Sequence, residues 1–131
     1  MQMTPRNPVK GIYPATDYSH AMELAGAARL LFVSGTMGLD EKSKAADGLE
    51  AQLALIWKNI GTILADAGMT VDNIVRLTSY LRDAAFAEAN MKARLRALNG
   101  RRIPTTAIVA QTLEGNWLVE IEVIAAALAG Q

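Results

Sequence analysis

The chain has 131 residues, half of them apolar, with 13 Lys plus Arg balanced by 13 Asp plus Glu. That is one domain of ordinary size with material for a sizeable core. The zero formal charge weighs against a nucleic-acid binder, which normally carries a basic excess. The absence of cysteine excludes disulfides, thiolate catalysis and Cys-ligated metals, and a single histidine, His20, excludes a zinc histidine triad. With no long apolar N-terminal run and no bilayer-length apolar window, the expected setting is cytoplasmic, without a membrane partner.

Residues 1–8 are polar with two prolines and read as a loose arm preceding the rest of a single domain, 1–131. Val9 to Tyr13 reads as a short edge strand, and Pro14 to Ser19 as a loop. Ala21 to Ala25 and Leu30 to Thr36 read as two strands with a hairpin turn at Gly26. The second of these ends at Ser34-Gly35.

Asp47 to Ala67 carries the clearest helical period. Leu49, Leu53, Ile56, Ile60 and Leu64 form one apolar stripe, with Asp47 as N-cap and Gly68 as the residue past the C-terminus. Asn73 to Leu81 alternates as a strand, with Val75, Leu77 and Ser79 on one face. Asp83 caps a second helix running to about Leu98 and closed by Asn99-Gly100. Thr105 to Gln111 and Asn116 to Ala127 are strands joined by Glu114-Gly115-Asn116. The order β-β-β-α-β-α-β-β predicts an α+β domain, a mixed sheet with two helices on one face. The segment from Thr36 to Asn73 holds a whole helix, so the strands that flank it can lie parallel. The uncovered sheet face calls for another subunit, with clefts between subunits.

The last strand carries the sharpest question. In Val119-Glu120-Ile121-Glu122-Val123 the two carboxylates share one face, roughly 7 Å apart. Acidic residues are poor strand formers. Either that face is wet, or one carboxylate handles protons.

Several stretches, taken in order, resemble the RidA/YjgF (endoribonuclease L-PSP-like) family. They include Asp17-Tyr18-Ser19-His20, Leu31-Phe32-Val33-Ser34-Gly35, Lys58-Asn59-Ile60, Asp72 to Arg76, Tyr80 to Asp83, Phe86 to Asn90, Arg102-Ile103-Pro104 and Val119 to Glu122. The resemblance implies a chorismate-mutase-like fold, a homotrimer, and small-molecule ligands at subunit interfaces. It also implies hydrolysis of enamines and imines without a cofactor or metal. By the same resemblance Glu120 is the water-activating group, and Tyr18, Ser34, Gly35 and Asn90 approach the ligand.

One position departs from the pattern. Active imine deaminases of that family carry Pro-Ala-Arg-Ser, whose arginine clasps the substrate carboxylate; here the stretch is Pro104-Thr105-Thr106-Ala107. A charge-assisted guanidinium contact is worth roughly 1.5–3 kcal/mol, or roughly ten- to a hundredfold in binding. Thr106 therefore predicts a substrate other than the standard 2-imino acid. It also leaves room for a ligand-binding module without turnover. Arg101 and Arg102, with Lys92, Arg94 and Arg96, could supply the missing cation or could simply be a solvated helix end.

Overall fold

The computed structural model describes residues 1–27 and 29–130. Eight elements follow one another: β1 (Gln2–Arg6), β2 (Ala21–Ala25), β3 (Arg29–Met37), α1 (Leu49–Asp66), β4 (Ile74–Leu81), α2 (Ala87–Ala97), β5 (Thr105–Val109) and β6 (Val119–Ala127). The fold is α+β with a mixed sheet, in the element order the sequence predicts. Four strands form that sheet in the order β3-β6-β4-β5. β6 runs antiparallel to both β3 and β4, so these two lie parallel to each other; β5 pairs parallel with β4.

α1 and the buried face of the sheet make the core. The stripe on α1 packs inward, with Leu53, Ile56, Ile60 and Leu64 at most 1% exposed. Burying each such side chain stabilises the fold by roughly 1.5–3 kcal/mol. Opposite them stand Leu77 and Leu81 of β4, and Val119, Ile121 and Val123 of β6. The helix ends as expected: Gly68 has a φ of 69°, and the Met69 amide donates to the Leu64 carbonyl. Its start differs. Gly48, not Asp47, occupies the N-cap position and offers no side-chain bond. The backbone there has a φ of 95°, which suits glycine, so the helix begins one residue after the expected cap has been passed.

The N-terminal strand is also displaced from its expected place. Residues 2–6 are not a loose arm; they pair antiparallel with β2 from Gln2↔Ala25 to Arg6↔Ala21. Pro5 is tolerated in this two-stranded ribbon, and an Arg6–Glu23 ion pair lies across it. Val9 to Tyr13 is irregular instead, because Gly11 turns the backbone with a φ of 80°. Gly26 does turn the chain, with a φ of 77°, but the strands on either side do not form the expected hairpin. Among the described residues β2 pairs with β1, and β3 pairs with β6; Ala28, between β2 and β3, lies outside the described residues.

Asp83 accepts from the Ala85 amide and caps a single 3-10 turn, Ala84–Phe86, from which α2 continues. Asn99 and Gly100 close α2 with φ of 54° and 78°. β5 stops at Val109, and the Trp117 amide closes the Glu114 turn before β6. These last two strands are joined by that turn but are not neighbours; β4 lies between them.

Candidate functional site

Alternation along the central strands sorts side chains by face. On β6, Val119, Ile121 and Val123 enter the core, and Glu120, Glu122 and Ile124 stand on the open face, each half-buried. On β4, Leu77, Ser79 and Leu81 go inward, leaving Arg76, Thr78 and Tyr80 beside the glutamates. The register places Tyr80 opposite Glu120, Thr78 opposite Glu122 and Arg76 opposite Ile124.

Glu120 is positioned by β3. Between Val33↔Val123 and Thr36↔Ile121, three steps on β3 match two on β6, so β3 carries one extra residue. The bulge falls on Ser34-Gly35, and bulges of this kind re-aim side chains at the rim of a sheet. The Thr36 hydroxyl bridges it by donating to the Ser34 carbonyl at 3.0 Å. A Cβ built on Gly35 would meet Glu120 Cδ at 2.7 Å and Cγ at 3.0 Å, so the carboxylate lies directly over the glycine. Ser34 and Gly35 also line a cleft between β3 and α1, with Met37, Asn59 and Thr62. Upstream of Glu120, the buried Gln52 side chain accepts from the Leu118 amide and donates to the Ala46 and Asn116 carbonyls, fixing where β6 begins.

Glu122 separates from Glu120 by its partner. The Tyr80 hydroxyl donates to Glu122 Oε1 at 2.6 Å. That bond raises the phenol above its ordinary value; burial and the charges of Glu122 and Glu120 add to the rise, and Arg76 opposes it.

Thr106 is not left beside empty space. The guanidinium of Arg76 reaches across from β4, and Nη2 donates to Thr106 Oγ1 at 2.8 Å. Arg76, Thr78 and Glu122 line a cleft of about 370 Å³ with Phe32, Val123 and Ile124. Arg101, by contrast, spends its guanidinium on the Val71 and Ile74 carbonyls, both at 2.8 Å. Burial lowers its pKa. Arg102 is exposed beside Tyr18.

Tyr18 and Asn90 lie elsewhere. Ser19 donates to Ile103 and Arg102 carbonyls, which docks the Tyr18 loop against the entry to β5. Arg94 of α2, 2% exposed, pairs with Asp17 and also donates to its carbonyl. Asn90, one turn before Arg94, is 3% exposed and its Oδ1 has no hydrogen-bond partner among the described residues. His20 accepts a packing role: its ring meets those of Tyr13 and Tyr18 edge-on, and Nε2 lies 2.7 Å from the Tyr13 carbonyl.

The candidate residues thus fall into two groups. Glu120, Ser34 and Gly35 stand by the β3 edge, whereas the Tyr18 loop stands by β5, the opposite edge of the sheet. Thr106 belongs to the β5 side. Arg76 and Tyr80 were not singled out from sequence, although the alternation that buried Val75, Leu77 and Ser79 already placed them on the glutamate face. Among the described residues no helix is long and apolar enough to cross a membrane.

A family model described as Endoribonuclease L-PSP matches residues 9–127. A RutC family protein of Aquifex aeolicus (strain VF5) is 39% identical over 89 residues, which span 66% of this chain and 66% of that relative. Among solved structures, the Rid family protein YyfB of Yersinia pestis, described as of unknown function, superposes with a TM-score of 0.84 at 26% identity, covering 97% of this chain and all of that one. The protein YJGH superposes at 0.68 with 33% identity, covering 85% of this chain and 84% of its own. RidA of the Antarctic bacterium Psychrobacter sp. PAMC 21119 shares the fold, with a TM-score of 0.71 at 24% identity over 90% of this chain and 94% of that one.

Proposed function

The chain belongs to the endoribonuclease L-PSP family, the RidA/YjgF group, and we propose that it is a hydrolytic deaminase of a small enamine or imine, with Glu120 as the group that activates water. The observation that carries this reading is the placement of Glu120. Its carboxylate lies over a glycine at a strand bulge, where a substrate can approach both the carboxylate and bare backbone. Glu120 takes a proton from water as the water oxygen bonds to the C=N carbon. The same carboxyl returns a proton to nitrogen. As the carbinolamine collapses, the carboxylate takes its hydroxyl proton and passes it to nitrogen, the C=O bond forms while the C–N bond breaks, and a ketone and ammonia leave.

The reading includes a homotrimer with the ligand at subunit interfaces. Two features support it. The Glu120 and Tyr18 groups lie at opposite edges of one sheet, so a second copy docked edge to edge would join them. The open face also exposes large apolar side chains, Phe32 at 70% and Leu30 at 55%. The substrate in this reading is not the standard 2-imino acid, because Thr106 stands where the family's arginine would be. A binding module without turnover is the alternative that Thr106 favours. A ribonuclease is disfavoured by the zero net charge.

The test is ammonia release from a panel of enamines and imines generated in place, by the unmutated protein and by Glu120→Gln. Release that drops to background in the variant is expected. No release by the unmutated protein would sink the deaminase, and a ligand that raises thermal stability but is recovered unchanged would establish the binding module.

A further inference from the structure

Five arginines have side chains folded against the protein body, and four of them end on main-chain carbonyls. Arg29 donates to Ala67 and Leu128, Arg82 to Thr112 and Glu114, Arg94 to Asp17, and Arg101 to Val71 and Ile74. These are structural tethers. Arg76 differs. Among the described residues its one side-chain hydrogen-bond partner is the Thr106 hydroxyl, at 2.8 Å. A guanidinium carries five N–H donors. The ion pairs among the described residues are Arg6–Glu23, Lys92–Glu88 and Arg94–Asp17, so no described carboxylate stands within 4.0 Å of Arg76. Glu122, the acidic residue lining the same cleft, accepts from the Tyr80 hydroxyl at 2.6 Å.

We propose that Arg76, oriented by Thr106, is a carboxylate-binding residue, and that the cleft takes a small monocarboxylate with an apolar tail. Thr106 fixes one edge of the fork and leaves the remaining donors for a bidentate partner, the geometry in which a guanidinium holds a carboxylate best. Phe32 and Ile124 supply an apolar wall for the tail, in a volume of about 370 Å³ that suits only a small molecule. Glu122 on the other wall selects against a second negative charge, which disfavours a phosphate dianion. The cation that the sequence left unassigned therefore comes from the neighbouring strand, through Thr106. The inference rests on reading the open face as a small-molecule site. It places the anion's partner on β4 instead of β5.

Calorimetric titration of the intact assembly with 2-oxopentanoate and with its neutral amide, 2-oxopentanamide, tests this. Neither probe carries the C=N bond that Glu120 would hydrolyse. The acid should bind at least about tenfold more tightly than the amide, both in the unmutated protein and in Glu120→Gln. Arg76→Met should abolish that preference. Arg76→Lys, which keeps the charge and loses the fork, should weaken the acid by about tenfold and serves if the methionine variant does not fold. Equal binding of acid and amide, a preference that survives in both Arg76 variants, or no binding of either probe at millimolar concentration overturns the proposal. Acid-selective binding without ammonia release from any imine would leave it standing and remove the deaminase. Ammonia release without acid preference would do the reverse.

Discussion

The Glu120 carboxylate occupies the space in which a side chain on Gly35 would stand: a Cβ there would overlap Oε2 and come within 2.7 Å of Cδ. The obstructing atoms are the free end of a flexible side chain, so an alanine at Gly35 can be accommodated by swinging the carboxylate aside. Gly35→Ala should therefore fold and melt within about 1 kcal/mol of the unmutated protein. Its hydrolytic rate should nevertheless fall by about a hundredfold, the scale lost when a general base leaves its place. Gly38 offers the contrast. A Cβ there would meet the Gln52 backbone, both Cα and the carbonyl oxygen at 2.7 Å. Helix α1 cannot move as a side chain can, and Gly38→Ala should destabilise by about 1–3 kcal/mol. Chemical denaturation beside an activity assay separates the two; a Gly35 variant of full activity would refute the positioning of Glu120 by the bulge.

Tyr80 and Glu122 form the second coupled pair on the open face. The hydrogen bond to Glu122 raises the Tyr80 phenol above its ordinary value. For an acid whose folded value is raised, the stabilising contribution is complete below the unfolded value and disappears as pH rises through the folded one. The bond is thus intact throughout the neutral range and lost only in strong alkali. A phenolate absorbance titration should show one of the three tyrosines ionising late, and Tyr80→Phe should remove that step. The same variant frees Glu122, whose carboxylate can then turn to Arg76. Carboxylate probes should bind Tyr80→Phe more weakly, while the neutral amide is unaffected. Tighter acid binding in that variant would contradict the view that Tyr80 keeps Glu122 away from the guanidinium.

How far the sequence could be read follows from which signals are periodic. The apolar stripe of α1 and the alternation of β4 and β6 are repeated many times, and the structure follows both. Strand β1 carries no such repeat. Pro5 and its polar neighbours read as a loose arm, and only pairing with β2 makes them a strand. The N-cap failed at Asp47 because Gly48 takes a backbone conformation that a composition argument does not anticipate. At the site, Glu120 and Gly35 are read from separate segments, yet their overlap depends on a one-residue bulge that no pattern announces. The resemblance drew attention to Thr106 as a loss at one strand position. Arg76 was invisible from there because its partner on β5 is set by sheet register, Thr78↔Thr106, and not by sequence spacing.

Asp17 and Arg94 predict the acid limb of stability. Burial alone would raise the Asp17 carboxyl, but the Thr16 hydroxyl, its own backbone amide and the Arg94 guanidinium outweigh it and hold it below the ordinary carboxylate value. For an acid with a depressed value the contribution is complete above the unfolded pKa and is lost as pH falls through the folded one. The unmutated protein should therefore lose stability below about pH 4, and part of that loss should be absent in Asp17→Asn. At neutral pH the same variant leaves Arg94, whose side chain is 3% exposed, without its countercharge. Removing one partner of a fully buried pair costs about 3–5 kcal/mol. The Asp17 side chain is 34% exposed, so solvent screening reduces the expectation to about 1–3 kcal/mol. Denaturation midpoints at pH 7 and pH 3 provide the check; an unchanged difference between the two pH values would remove Asp17 from the account.

Phe32 predicts the assembly. Its ring is 70% exposed on β3, with Leu30 two residues before it at 55% and Ile108 across the sheet at 47%. Apolar side chains scattered singly over a surface need no explanation, but these share one sheet face with the polar groups of the site. A trimer that covers this face buries the ring, and each such ring contributes on the order of 2 kcal/mol per subunit to association. Phe32→Asp places an unpaired carboxylate in that contact, next to Glu122 in the same cleft, and like charge adds to the desolvation cost. The variant should elute and scatter as a monomer at micromolar concentration, where the unmutated protein gives a trimer mass. Because the Glu120 and Tyr18 groups lie at opposite edges of one subunit, the monomer should also lose ammonia release although Glu120 is untouched. A fully active monomer would place the whole site within a single chain and refute the interfacial arrangement.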